Sequence, residues 1–309
     1  MKKKIRIGTR GSRLALFQAE EVRKTLCNNI KDIDCEIIEI QTKGDIILDV
    51  ALSKIGDKGL FTKEIENALF NNTIDIAVHS LKDLPTTLPQ GLILSAVLKR
   101  AEIRDVLVSN KYKSLDDFTK GSVIATSSLR RRALLNLYNK DIIIKDIRGN
   151  IDTRLKKLTD NYSDGLIMAG AAIERLNLNK LVAQYLPPET FVPAASQGII
   201  AIETRETDDF INDICKIINH EETFIVAESE RQFLSILQGG CQVPIGCYTK
   251  IEDDKVYFTG FVSDCKGEKY IKINKKDNIK NIRKLVNSVA DEIIKAGGKE
   301  IIDNIYSCI

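Results

Sequence analysis

Short apolar runs and helically spaced apolar sets alternate along this 309-residue chain. Lys4–Gly8, Cys35–Gln41, Asp75–Val78 and Leu92–Leu98 have strand length and are rich in β-branched residues. Between them, Ala15, Ala19, Val22 and Leu26 keep a helical period behind Ser12, a suitable N-cap. Phe61, Ile65, Ala68 and Leu69 share one face of a helix beginning at Thr62. The alternation resumes with strands at Val123–Ala125, Ile142–Ile147 and Gly165–Ala169, each followed by a helix. Ile199–Glu203 is a further strand, and Ile211, Ile214, Cys215 and Ile218 line a helix over Asp208–Asn219. Strand–helix alternation of this kind predicts an α/β protein. The last ninety residues differ. A helix from Thr223 ends at Gly239-Gly240, then strands over 242–251, 255–263 and 268–275 precede an amphipathic helix over 279–296, a small α+β module.

The expected division is a first lobe of residues 1–98 plus 196–216, a second lobe of 99–195, and a third domain of 217–309. The chain crosses to the second lobe in the charged stretch Lys99–Asp105. It returns through the non-periodic connector Val192–Gly198. The glycine-punctuated segment Lys54–Phe61 is either a mobile flap or a plain connector.

Charge changes this picture through its distribution. Lys+Arg 46 against Asp+Glu 43 leaves only +3, which argues against a protein that coats nucleic acid. Of fifteen arginines, thirteen lie between Arg6 and Arg205, and arginine suits a two-pronged grip on carboxylate or phosphate. Seven cysteines without a CxxC and only two histidines make a zinc site an unsuitable reading. They fit a reduced, cytoplasmic protein. No apolar stretch follows the basic start to form a signal peptide, and none reaches membrane-spanning length.

Candidate chemistry gathers where strands end, the place at which ligands sit in open α/β sheets. Thr9-Arg10-Gly11-Ser12 follows the first strand and opens a helix, an anion site of backbone N–H groups with a full charge added. Thr126-Ser127-Ser128 precedes a helix with Arg130, Arg131 and Arg132; Arg148-Gly149-Asn150 precedes Arg154; Gly170 begins a helix bearing Arg175. One such junction has little meaning alone, but four would line a cleft that grips several negative groups. Arg132, Lys156 and Lys157 read as a solvated helix face. His79, Ser80, Lys82 and Asp83 form a polar cluster after Asp75–Val78, where a tight loop can aim Lys82 and Asp83 at one ligand. Gln238-Gly-Gly-Cys241-Gln-Val-Pro-Ile-Gly246 places a thiol on a flexible joint between helix and sheet.

Five of these motifs stand in order: Thr9–Ser12, Val78–Pro85, Thr126–Arg131, Ile147–Asn150 with Asp152-Thr-Arg154, and Gly239–Gly246. Together they resemble the porphobilinogen deaminase (hydroxymethylbilane synthase) family, from Lys4 to about Ile245. The resemblance implies two periplasmic-binding-protein-like lobes and a third small domain carrying a dipyrromethane cofactor, joined to Cys241 by a thioether; Cys247 is the nearby rival. It implies that Asp83 and Lys82 are catalytic. Ser80, Lys82, Asp83, Thr126, Ser127, Ser128, Arg130, Arg131 and Arg148 would hold the cofactor. Arg10, Ser12, Gln18, Arg148, Arg154 and Arg175 would hold substrate, Gln18 matching more loosely. Gln238 departs from the family's common acidic residue. The activity implied is condensation of four porphobilinogen molecules with loss of ammonia, then hydrolytic release of hydroxymethylbilane. No metal, nucleic acid or membrane is implied; the enzyme is expected to be a monomer passing its product to uroporphyrinogen III synthase.

Two other classes use similar features. A non-enzymatic anion-binding protein would share the two lobes, but the missing export signal and the Gly-Gly-Cys segment count against it. A phosphoryl transferase would use the Ser/Arg junctions for phosphate, yet the chain has no P-loop.

Overall fold

In the first strand, β1 (Lys3–Thr9), Ile5 and Ile7 are wholly buried, as its apolar run demands. The computed structural model describes residues 3–46, 59–239 and 243–307. β1 pairs in parallel with β2 (Ile33–Glu39) and β3 (Ile76–Ser80). β10 (Ile200–Arg205) runs antiparallel to both β3 and β4 (Leu92–Val97), giving the order β2-β1-β3-β10-β4. Helix α1 (Arg13–Asn29) starts at Ser12, whose hydroxyl accepts from Ala15 N at 3.4 Å, and buries Ala19, Val22 and Leu26 on this sheet. α2 (Lys63–Phe70) turns Ile65 and Leu69 inward.

The chain forms two compact units. The sheet just described belongs to the first, which takes in the described residues up to Ala101 and Gly198–Ile225; the second takes in Glu102–Gln197 and the chain from Val226. In the second unit β6 (Val123–Ala125) is parallel to β7 (Ile143–Lys145) and β8 (Gly165–Ala169). β5 (Asp105–Val108) is antiparallel to β8 and to β9 (Val182–Tyr185), so the order is β7-β6-β8-β5-β9. Each sheet thus has three parallel strands, one reversed strand and an outer strand. In each, the reversed strand is the one the chain makes on entering from the other unit.

Helices α3 (Leu129–Tyr138), α4 (Ile151–Thr159) and α5 (Gly170–Arg175) follow β6, β7 and β8, as the pattern predicts. β5 and β9 were not anticipated. Each has four residues, and β5 opens on a charged side chain, so neither shows a usable period. β7 is shorter than the apolar run around it, because Ser127 Oγ takes over the backbone of Ile147: it donates to Ile147 O at 2.7 Å and accepts from Ile147 N at 2.9 Å.

The second unit also holds an antiparallel sheet of β11 (Ile245–Glu252), β12 (Lys255–Ser263) and β13 (Tyr270–Asn278). Alternate residues of β12 serve two cores. Phe258 meets Phe233 edge-on with ring centres 5.3 Å apart, while Phe261 joins Leu107, Leu134 and Phe191. An α+β module at the C-terminal end was expected, and the sheet and helices are present. The amphipathic helix expected over 279–296 does end at Gly297-Gly298, and a further helix follows it. Gly297, at φ +96°, stops α8 (Ile282–Lys295), and α9 (Gly298–Tyr306) starts at once. α6 (Asp209–Ile218) and α7 (Glu221–Ile236) precede this module. Among the described residues no helix is long and apolar enough to cross a membrane, and no group of three or more His, Cys, Asp or Glu could hold a metal ion.

Candidate functional site

In the first unit, parallel pairing of β1 with β3 brings the ends of both strands to one edge of the sheet. The polar cluster expected after Val78 is divided there. β3 runs on through His79 and Ser80, because β10 pairs opposite both, Ala201 with His79 and Ile200 with Ser80. Leu81–Asp83 is then a single 3₁₀ turn closed by Leu84 N on Leu81 O at 3.2 Å. Leu81 and Leu84 are 1% and 5% exposed, so the Leu-Lys-Asp-Leu sequence buries its two ends. Lys82 is left half-buried, and Asp83 exposed. Among the described residues no hydrogen bond or ion pair holds the Asp83 carboxylate.

His79 points the other way, into the core, where Nε2 lies 3.0 Å from Glu203 Oε2. Glu66 is buried near this pair, and burial, followed in effect by the Glu203 charge, raises its pKa although Thr62 pulls it down. Gln18 is 2% exposed and donates to Ser80 Oγ at 2.8 Å, tying α1 to the end of β3. Arg10 grips Asp45 through Nε, at 3.1 and 3.2 Å from the two carboxylate oxygens, and through Nη2.

In the second unit, β6, β7 and β8 deliver their carboxyl ends to one edge. Ser128 caps α3, accepting from Arg131 N at 3.4 Å, while Thr126 is buried and Ser127 half-buried. Gly149 takes φ +108°, a left-handed conformation that costs a glycine little, and Asn150 caps α4 by accepting from Thr153 N at 2.9 Å. This turn half-buries Arg148, where burial pulls the guanidinium below its usual range against the opposing charge of Asp146. Arg154 Nε donates to Gly149 O at 2.9 Å, and Arg175 ends α5, half-buried.

Arg130 and Arg131 lie deeper than a ligand-facing helix turn suggests, at 4% and 7% exposure. Arg131 donates to Asp105 Oδ1 through Nε at 3.1 Å and Nη2 at 2.6 Å, and to Ile167 O at 2.9 Å. Arg130 Nη1 is 2.8 Å from Asp105 Oδ2 and donates to Val192 O at 2.6 Å. Gln197 Nε2 adds a third donor to Asp105 Oδ1 at 3.1 Å. Burial alone would raise the Asp105 pKa, but the charges of Arg130 and Arg131 prevail and hold it well below the carboxylate range. Two buried cations thus share one anion. Arg132 stands apart, paired with Asp146 at 2.7 Å.

Sequence reasoning missed Asp105, Gln197 and Asp45. No local pattern marks them, since Asp105 lies 26 positions from Arg131 and Asp45 lies 35 from Arg10. Cys241 lies outside the described residues, as does most of Lys54–Phe61. Cys247 is wholly buried on β11 with its thiol 3.9 Å from Glu230 O. Burial pushes the Cys35 and Cys215 thiols up to about 12.

The groups at the second unit's strand ends suit a ligand with several carboxylates: the hydroxyls of Thr126 and Ser128, which accept from backbone N–H groups, and the guanidinium groups of Arg148, Arg154 and Arg175, whereas the Ser127 hydroxyl already donates to Ile147 O. Residues 5–213 match the family description "Porphobilinogen deaminase, dipyromethane cofactor binding domain", and residues 224–295 match "Porphobilinogen deaminase, C-terminal domain". Similar curated proteins include the porphobilinogen deaminases of Desulforamulus reducens, 44% identical over 99% of both chains, and of Syntrophomonas wolfei, 47% identical over 86% of this chain and 87% of that one. That of Listeria welshimeri is 44% identical over 99% of both. Similar solved structures include the methionine-binding protein MetQ (TM-score 0.46, 16% identity, 72% of this chain and 92% of that chain) and an ABC-transporter periplasmic substrate-binding protein from Coxiella burnetii (0.44, 15%, 71% and 94%). Full-length identity to curated deaminases, with both family domains matched in order, leaves one assignment: the chain belongs to the porphobilinogen deaminase family.

Proposed function

We propose that Asp83 is the catalytic carboxylate of this enzyme and that Cys241 carries its cofactor. The protein is a transferase of tetrapyrrole biosynthesis that condenses porphobilinogen with loss of ammonia and yields hydroxymethylbilane. Its dipyrromethane group, when bound, supplies the primer to which porphobilinogen units are added.

The observation that carries the reading is the Asp83 turn: an exposed carboxylate with no partner among the described residues, set between two buried leucines at the end of β3. A carboxylate held this way meets developing positive charge without first losing another partner. Loss of ammonia from the aminomethyl carbon of porphobilinogen places such charge on its pyrrole nitrogen, which Asp83 stabilises. Lys82, on the same turn, binds a carboxylate of the reacting unit.

Thr126, Ser127, Ser128 and Arg148, with Ser80, hold the cofactor's acetate and propionate groups. Arg130 and Arg131 assist with the surplus positive charge that Asp105 leaves. Arg10, Ser12, Gln18, Arg148, Arg154 and Arg175 receive those of the substrate. The protein works as a monomer in the cytoplasm, divided as 1–98 with 196–216, 99–195 and 217–309, and releases its product to uroporphyrinogen III synthase.

Cys241 is favoured over Cys247 because the latter thiol is sealed inside β11. Intact-protein mass spectrometry tests this. Cys241→Ser should fold, lack the dipyrromethane mass and be inactive, since a serine offers no thioether and is a weaker nucleophile. Cys247→Ser should keep mass and activity. An adduct on Cys247, or full activity in Cys241→Ser, overturns the assignment.

A further inference from the structure

Among the arginine–aspartate contacts of this protein, those of Arg131 and Arg10 are both two-pronged but differ in burial. The Arg131–Asp105 pair is sealed, with side-chain exposures of 8% and 0%. The Arg10–Asp45 pair is open, at 26% and 24%. A sealed pair is a fixed part of the fold, because separating it would strand charge in the interior. A pair about one quarter exposed can exchange its carboxylate for another from solution at less cost than a sealed one.

The surroundings of Arg10 hold the guanidinium in one place. Its Cζ lies over the Phe61 ring, 4.3 Å from the centroid. That ring packs so closely on Gly44 that a Cβ there would sit 2.2 Å from Phe61 Cε1, so any larger residue at 44 would have to push the ring aside. Thr42 fixes the competing carboxylate, since its hydroxyl donates to Asp45 Oδ2 at 2.7 Å and its N–H at 3.3 Å. Arg10 therefore presents a preformed two-pronged carboxylate seat, and the chain fills it with its own carboxylate.

We infer that Asp45 is an internal stand-in for a substrate carboxylate on Arg10, which porphobilinogen must displace to bind. This rests on the reading of Arg10 as a substrate ligand. The exchange sets affinity and leaves the chemical step alone, because Asp45 competes with the bound substrate and its transition state alike. It also gives selectivity: a ligand without a carboxylate at this point has nothing with which to displace Asp45, and meets Arg10 already neutralised.

Kinetics of purified holoenzyme test the exchange, with rates normalised to the cofactor content found by intact mass. Asp45→Asn keeps the side chain's shape and removes its charge. It should lower KM for porphobilinogen about 3- to 10-fold, the scale of a partly exposed two-pronged pair, with kcat within about twofold of wild type. Arg10→Leu should raise KM, and in that background Asp45→Asn should change nothing. If Arg10→Leu raises KM but Asp45→Asn leaves it level or raises it, the exchange is wrong and Arg10 remains a substrate ligand. An Asp45→Asn effect that persists without Arg10 also overturns the exchange. If Arg10→Leu leaves KM unchanged, the assignment of Arg10 falls and the exchange falls with it.

Discussion

Replacing Asp105 with Asn removes one negative charge from a site where the carboxylate is wholly buried and faces two guanidiniums at 4% and 8% side-chain exposure. The amide preserves volume, so packing changes little and the loss is electrostatic. A guanidinium does not shed its proton in compensation. Breaking a buried ion pair by removing one partner costs about 3–5 kcal/mol. Each arginine keeps one backbone carbonyl, Val192 O for Arg130 and Ile167 O for Arg131, which limits the loss, while their mutual repulsion adds to it. For a unit of this size each kcal/mol moves Tm by about 2–4 °C, so the expected drop is about 6–20 °C. Thermal unfolding followed by circular dichroism on holoenzyme at pH 7 measures it. The pH dependence separates charge from packing. Asp105 titrates in the fold well below its ordinary 3.8, so its contribution is present above that value and lost as pH falls towards the depressed one. The gap between wild type and Asp105→Asn should therefore be full at pH 5–7 and narrow below about 3.8. A loss under about 1 kcal/mol at pH 7, or a gap that stays constant down to pH 3, would refute the charge argument.

Asp83→Asn should keep the fold and the cofactor mass while losing about two orders of magnitude or more in turnover, the scale of one electrostatic group; near-normal turnover removes Asp83 from the mechanism. Arg148→Leu should trap partly elongated adducts visible on native gels, whereas Arg132→Leu, which breaks only the exposed pair with Asp146, should do much less; equal effects would mean that only bulk charge matters. Glu66 has a raised folded pKa, so its stabilising effect is complete below 4.5 and lost as pH rises through the folded value. Glu66→Gln has no such loss, so its Tm should gain on wild type between pH 4.5 and 7; a parallel pair of Tm curves contradicts that.

What the sequence determined by itself was most of the elements, all but short strands such as β5 and β9, and the strand ends at which polar and charged residues gather. A strand such as Ile76–Ser80 or Gly165–Ala169 is legible because it must bury both faces, and the residue types that follow it, Lys82 and Asp83 or Gly170, are those a strand end needs. Ser12, Ser128 and Asn150 act as caps because capping is a local contest for the first N–H groups of a helix. Only the tertiary structure decided which charges are already taken. His79 reads like a site residue beside Ser80, yet β10 carries Glu203 to it from 124 positions away. Asp105 reads like part of a charged connector, yet pairing of β5 with β8 buries it against Arg130 and Arg131. The matching order of the two five-stranded sheets was equally hidden, because strand order is set by crossings between distant segments that leave no period in the chain. Periodicity and capping are settled over a few neighbouring residues and can be read from them. The partner of a buried charge is settled by burial itself, which exists only once distant strands lie side by side.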